Sequence, residues 1–146
     1  MTVVFSERIS LQEQLTGVVG QVLQQLTKGS LLLLSGDLAA GKTTFVNEFC
    51  RSFGIKITQS PTYAICNVYS TSDVRILHFD LYRLESEDAI HSSGFYDLLR
   101  DPADYKLIEW SERIDLNDYP VDMIKYGLDF KINADGSRQL TFVNLS

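Results

Sequence analysis

The chain has 146 residues, 45% hydrophobic and 22% charged, with 19 acidic against 13 basic residues and a net charge of −6. That length suits one domain over 1–146, large enough to bury most of its apolar surface and too small for a motor ATPase with an appended module. The acidic surplus opposes autonomous binding to a nucleic acid backbone, so any RNA is expected to be held by another protein.

The first ten residues, MTVVFSERIS, carry no long apolar stretch, and nowhere do about 18 apolar residues run together. Neither export nor a membrane span is indicated. A first helix is expected over 11 to about 27, with Ser10 and Glu13 in capping-box spacing and Leu11, Leu15, Val18, Val22 and Leu26 on one stripe. Four leucines, Leu31 to Leu34, read as a strand covered on both faces. A second helix follows over 43–53, with Phe45, Val46, Phe49 and Phe53 on one face and Gly54 as its stop.

A pair of strands over 64–69 and 74–79 is joined by a turn over 70–73, with Ile65, Val68, Ile76 and His78 marking half-buried positions. Short helices are expected over 85–91 and 95–99, and a brief strand over 106–108 ends in Glu109. Strands over 123–132 and 139–145, around Ala134-Asp135-Gly136-Ser137, form the best hairpin signal. Cys50 and Cys66 lack metal-ligand spacing and read as buried thiols in a reducing compartment, with the cytoplasm as the default location. The expected fold is α/β: a three-layer P-loop NTPase-like arrangement, with a mixed central sheet, flanking helices and a C-terminal antiparallel hairpin.

Between the leucine strand and the second helix lies the chemistry. Gly36 and Gly41 bracket four residues and precede Lys42 and Thr43, satisfying G-x-x-x-x-G-K-[ST] at every fixed position. In such a loop the amides of Asp37, Leu38, Ala39, Ala40, Gly41, Lys42, Thr43 and Thr44 are placed to wrap phosphate oxygens, helped by the partial positive charge of the helix start. Lys42 reaches the terminal phosphates and the Thr43 hydroxyl can ligate Mg²⁺. The competing reading, a glycine turn with Lys42 and Thr43 as solvated helix starters, does not require the strand and helix that flank the loop. Ala39 is the defect, because alanine carries a steric cost wherever the backbone needs a positive φ.

Two acids end downstream strands, Asp80 after 75–79 and Glu109 after Leu107-Ile108, where open α/β sheets present their ligand crevice. A P-loop enzyme needs one such carboxylate for Mg²⁺ and often another group for the attacking water. Either could alone be a helix cap or surface carboxylate. Thr62, in Ser60-Pro61-Thr62-Tyr63, lies where a nucleotide sensor loop belongs, although a Ser-Pro turn into a strand explains the spacing equally well.

Gly36-Asp37-Leu38-Ala39-Ala40-Gly41-Lys42-Thr43-Thr44-Phe45, Ser60-Pro61-Thr62-Tyr63, His78-Phe79-Asp80-Leu81-Tyr82-Arg83-Leu84 and Glu109-Trp110-Ser111-Glu112, in this order and spacing, resemble TsaE, also called YjeE, a family of small bacterial ATPases. The resemblance runs from the first helix to the C-terminal hairpin. It implies hydrolysis of ATP in support of threonylcarbamoyladenosine formation beside the tRNA anticodon. The implied partners are TsaB and TsaD; tRNA is reached only through that complex, and the threonylcarbamoyl transfer is not the family's own step. It also implies that Lys42 holds the β and γ phosphates, that Thr43 and Glu109 contact Mg²⁺, that Thr62 is the switch-loop sensor and that Asp80 is a Walker B-like acid. Trp110 would sit beside the site and report on it. For His78, Tyr82 and Arg83, scaffolding or partner contact is the expectation, with Arg83 the more tempting as a charge near the phosphates.

Two departures matter. Ala39 stands where glycine is expected, which bears on hydrolysis more than on binding, and the short tail after the hairpin bears on partner docking. Two other functions compete with a partner-coupled ATPase. A nucleotide-dependent adaptor without productive hydrolysis is recommended only by Ala39, and a small-molecule kinase would need a lid and an acceptor pocket for which no arginine-rich segment is present.

Overall fold

Leu31 to Leu34 are apolar on both pleats and must be covered on both sides. All four are buried, in the central strand of a seven-stranded mixed sheet. The structure, a computed structural model, describes residues 1–57 and 65–146. Its strands are β1 (Thr2–Ile9), β2 (Leu31–Gly36), β3 (Cys66–Ser70), β4 (Arg75–Asp80), β5 (Tyr105–Glu109), β6 (Lys125–Ile132) and β7 (Arg138–Asn144), and its helices are α1 (Leu15–Gln25), α2 (Lys42–Arg51), α3 (Glu87–Ser92) and α4 (Phe95–Leu99). Across the sheet the order is β1-β7-β6-β2-β5-β4-β3. The centre, β6-β2-β5-β4, is parallel, while β7 and β1 on one side and β3 on the other are antiparallel additions.

Helices cover both faces, giving three layers. On one face Leu15, Val18, Val19 and Val22 of α1 and Phe45, Val46, Phe49 and Cys50 of α2 pack on Leu32, Leu34, Ile76, Leu107 and Leu128. On the other, Ile90, Phe95 and Leu99 from α3 and α4 pack on Leu31, Leu33, Leu77, Phe79 and Ile108. Each fully buried Phe or Leu contributes about 1.5–3 kcal/mol relative to exposure. Strand alternation thereby sorts functional residues too: His78 shares the α2 face with Ile76, and Glu109 shares it with Leu107.

Several expectations need correction. The N-terminal segment, to which the sequence assigns no element, is the edge strand β1, paired antiparallel with β7 from Thr2↔Asn144 to Ile9↔Arg138. Only Phe5, Glu7 and Ile9 turn partly or wholly inward, so its alternation is faint. Helix α1 begins at Leu15, after a 3₁₀ turn over Gln12–Gln14, and the backbone amides of Ser10 and Leu11 donate to Gln14 Oε1 at 2.7 and 2.9 Å. Gln14 therefore does the capping expected of Glu13, and Leu11 is exposed rather than on the buried stripe. Val68 is likewise exposed on the edge strand β3. Cys50 is buried and Cys66 half-buried, both free; burial pushes their thiols up to about 12 and about 11. Among the described residues no helix is long and apolar enough to cross a membrane.

Candidate functional site

The parallel register brings the chemistry together. Leu34 of β2 lies opposite Glu109 of β5, and Asp80 of β4 lies opposite Glu109 on its other side. The loop 36–41 leaves β2 at this carboxyl-end rim and enters α2. Its path depends on glycine at two points. Gly36 has φ 137°, and a Cβ there would meet the Phe130 carbonyl oxygen at 2.4 Å; Gly41, with φ 112°, is the N-cap of α2. Ala39 adopts φ 63°, the left-handed conformation for which alanine is a costly choice. The Arg138 guanidinium braces this part of the loop, donating from Nε to Ala40 O at 3.2 Å and from Nη2 to Ala39 O at 3.3 Å.

The first hydrogen bond of α2 runs from Phe45 N–H to Gly41 O, leaving the amides of Lys42, Thr43 and Thr44 ahead of the helical ladder. Asp37, Leu38 and Ala39 are exposed on the loop, Ala40 is buried and Gly41 and Thr44 are half-buried. The Ala40 amide is already engaged with the Asp37 carbonyl at 3.1 Å; the others are donors a phosphate could use.

Lys42 is buried at the start of α2, donating from Nζ to the Gly36 carbonyl and, at 3.4 Å, to the Asp37 carbonyl. The same ammonium stands 3.7 Å from the centre of the Trp110 ring. Burial lowers its pKa, opposed by the carboxylates of Glu112, Glu109, Asp37 and Asp80. Trp110 follows β5 with φ 59°, a left-handed turn at the rim. Its ring packs on Tyr82 at 5.1 Å, and Arg113 lies over both rings.

Thr43 Oγ1 donates to Glu109 Oε1 at 2.8 Å. The other carboxylate oxygen, Oε2, lies 2.5 Å from His78 Nε2, with both side chains buried. Asp80 is half-buried and its Oδ1 accepts the Tyr82 amide at 3.0 Å. Burial raises the Asp80 pKa and Glu109 adds to that, while the Tyr82 amide, His78 and Lys42 oppose it.

Thr43 and Glu109 together present hard oxygen donors at the mouth of the loop. Among the described residues no group of three or more His, Cys, Asp or Glu forms a cage. The pair therefore fits an ion that takes most of its coordination from ligand phosphates and water, which is the habit of Mg²⁺.

Lys42, Thr43, Asp80 and Glu109 are thus brought to one rim, whereas Thr62 falls outside the described residues. Arg83 is exposed, and the arginine stacked at the site is Arg113. Sequence reasoning missed three contributors. Glu112 Oε2 accepts the Gly36 amide at 3.1 Å, Arg138 braces the loop, and a pocket of about 210 Å³ opens beside Ala40, Gly41 and Thr44, walled by Leu11, Phe130 and Arg138. Glu112 was visible at the end of its motif. Arg138 and the pocket walls come from opposite ends of the chain and carry no local signal.

The profile of the family described as threonylcarbamoyl adenosine biosynthesis protein TsaE matches residues 10–140. The tRNA threonylcarbamoyladenosine biosynthesis protein TsaE of Rickettsia felis is 39% identical over 105 residues, 70% of this chain and 60% of the relative. The protein of the same name from Treponema pallidum is 37% identical over 132 residues, covering 85% of this chain and 87% of the relative. This chain thus spans less than two thirds of the Rickettsia felis relative's length. A crystal structure of YdiB from Bacillus subtilis superposes with a TM-score of 0.69 at 24% identity, covering 100% of this chain and 89% of the other, a likeness of fold alone.

Proposed function

Because the chain belongs to the TsaE family of tRNA threonylcarbamoyladenosine biosynthesis proteins, we propose that it binds and hydrolyses Mg-ATP as the ATPase subunit of that modification, acting with TsaB and TsaD. The observation that carries the reading is the Thr43–Glu109 contact at 2.8 Å, which ties the start of α2 to the end of β5 beside a complete glycine-framed loop. A loop of this sequence serves phosphate binding generally; a strand-end carboxylate held on its threonine is what Mg²⁺-dependent phosphoryl chemistry additionally requires.

In this reading the amides of 37–44 receive the phosphates, and Lys42 leaves Trp110 to neutralise the β and γ phosphate oxygens. Thr43 and Glu109 would hold the Mg²⁺, which when bound supplies positive charge against the phosphates as the terminal bond breaks. Asp80, kept partly desolvated, accepts a hydrogen bond from the attacking water. Thr62 is the sensor of the γ-phosphate. The pocket against Ala40, Gly41 and Thr44 takes the base, with Leu11 and Phe130 as its apolar walls. We take the cytoplasm as its compartment, in keeping with the two free thiols. With a net charge of −6, contact with tRNA runs through the partners.

The test is phosphate release from Mg-ATP by the protein alone and with purified TsaB and TsaD. Slow release that rises with the partners is the expected result. No release in any mixture would replace this reading by a nucleotide-dependent adaptor, and consumption of ATP only with an added metabolite would indicate a kinase.

A further inference from the structure

Glu109 is a buried carboxylate, its side chain 3% exposed, and such a group persists only if its oxygens are satisfied. Oε1 accepts the Thr43 hydroxyl, and Oε2 lies 2.5 Å from His78 Nε2. His78 projects from β4 on the same face of the sheet, two residues before Asp80, and its ring stacks on Tyr69 at 6.3 Å with an interplanar angle of 26°. We propose that His78 is a positioning residue for the magnesium site: its Nε2–H holds one oxygen of Glu109 so that the other stays directed at Thr43 and at the ion those two residues would share. The inference rests on the nucleotide-site reading above.

Two features separate this role from ordinary core packing. Buried ring nitrogens usually find a partner, yet among the described residues His78 Nδ1 has none, so the ring's one hydrogen bond is to Glu109. The ring is thus oriented for Glu109 alone, and because a carboxylate can only accept, Nε2 carries the proton. The second feature is the competition for Glu109. A metal shared by Thr43 and Glu109 would pull on Oε1, while the Thr43 hydroxyl, coordinating through a lone pair, keeps its proton; the His78 contact is the anchor that fixes Oε2. The Lys42 ammonium lies close enough to feel the charge of the Glu109 carboxylate. An unanchored Glu109 would pair with that ammonium, taking both groups away from the nucleotide. Orienting partners of this kind typically contribute about 10- to 100-fold in metal affinity.

Calorimetric titration of the full chain with ADP, in Mg²⁺ and in excess EDTA, reads the role without reference to turnover. The expected result for His78→Leu is that binding in Mg²⁺ weakens by about 10-fold or more while binding in EDTA is unchanged. His78→Gln, whose amide can donate to the same carboxylate oxygen, recovers most of the loss. Equal affinities for wild type and His78→Leu in Mg²⁺, or a His78→Gln variant as weak as His78→Leu, overturn the proposal. A wild-type chain that binds no ADP overturns the nucleotide-site reading and this inference together; a wild type that binds while His78→Leu matches it overturns this inference alone. Should His78→Leu fail to fold, His78→Phe takes its place, because it keeps a ring against Tyr69 but cannot donate to Glu109: weaker binding in Mg²⁺ with unchanged binding in EDTA is expected, and wild-type affinity in Mg²⁺ overturns the proposal.

Discussion

Thr43 and Glu109 join two elements that the chain separates by 66 residues, the hydroxyl of the first helical turn donating to the carboxylate at the end of the central strand's neighbour. The pair fixes the start of α2 against the end of β5 at the rim where the loop 36–41 leaves β2.

Glu109→Gln keeps the size of the side chain but replaces a charged acceptor by an amide. Steady-state phosphate release at saturating Mg-ATP is expected to fall by about 100-fold or more, the usual cost of removing one preorganised electrostatic partner. Melting should change little, since Gln can still meet Thr43 and His78. Turnover near that of the wild type would remove Glu109 from the mechanism.

Lys42 rests on Trp110, the chain's single tryptophan. A nucleotide that draws the ammonium to its phosphates must break this cation–π contact, worth about 0.5–2 kcal/mol. Trp110 emission is therefore expected to shift on adding ADP, and Lys42→Ala should shift the ligand-free spectrum and abolish the nucleotide response. A full response in Lys42→Ala would show that the indole senses something else.

Ala39→Gly should stabilise the ligand-free protein. Left-handed alanine costs about 1–2 kcal/mol, and the extra freedom of unfolded glycine takes back about 0.5–1 kcal/mol. Urea denaturation should thus give a gain of about 0.5–1 kcal/mol with an unchanged m-value. A loss would mean that the methyl group of Ala39 makes contacts worth more than its strain.

Asp80→Asn should separate stability from activity. Burial holds the Asp80 carboxyl above its ordinary value, so the folded chain binds that proton more tightly than the unfolded chain. Its contribution is then full below the ordinary carboxylate range and is lost as pH rises through the raised folded value. At neutral pH the asparagine variant, which still accepts the Tyr82 amide, should melt higher than wild type while hydrolysing more slowly. The two melting temperatures should converge as the pH falls toward 4. A variant less stable than wild type at pH 7 would contradict this assignment.

The parallel half of the sheet is legible in the sequence because its signals are local. Leu31 to Leu34, the apolar face of α2 and the acids at the ends of β4 and β5 each announce themselves within a dozen residues, and the observed bounds differ from expectation by one or two positions. The antiparallel wing is another matter. β1 owes its existence to β7, more than 120 residues away, and its outer residues face solvent, so alternation barely registers. Arg138 looks like an ordinary charged residue after a hairpin turn until the fold brings its guanidinium against Ala39 and Ala40. His78 reads as scaffolding because spacing does not reveal that β4 and β5 run side by side with Glu109 two residues further along the same face. The steric cost at Ala39 is the opposite case: it follows from the loop pattern and is met as a φ of 63°.

The pocket beside Gly41 has walls from Ile9 to Leu15 at one end of the chain and from Phe130 to Leu140 at the other. On a ribosome this has a temporal meaning. The glycine-framed loop and both acids emerge long before the second wall does, so this pocket is incomplete until residue 140 has cleared the exit tunnel. Ligand binding stabilises only the state that binds. A base seated in this pocket would therefore reward completed synthesis and leave a stalled nascent chain, however well its loop has formed, without that share of its stability.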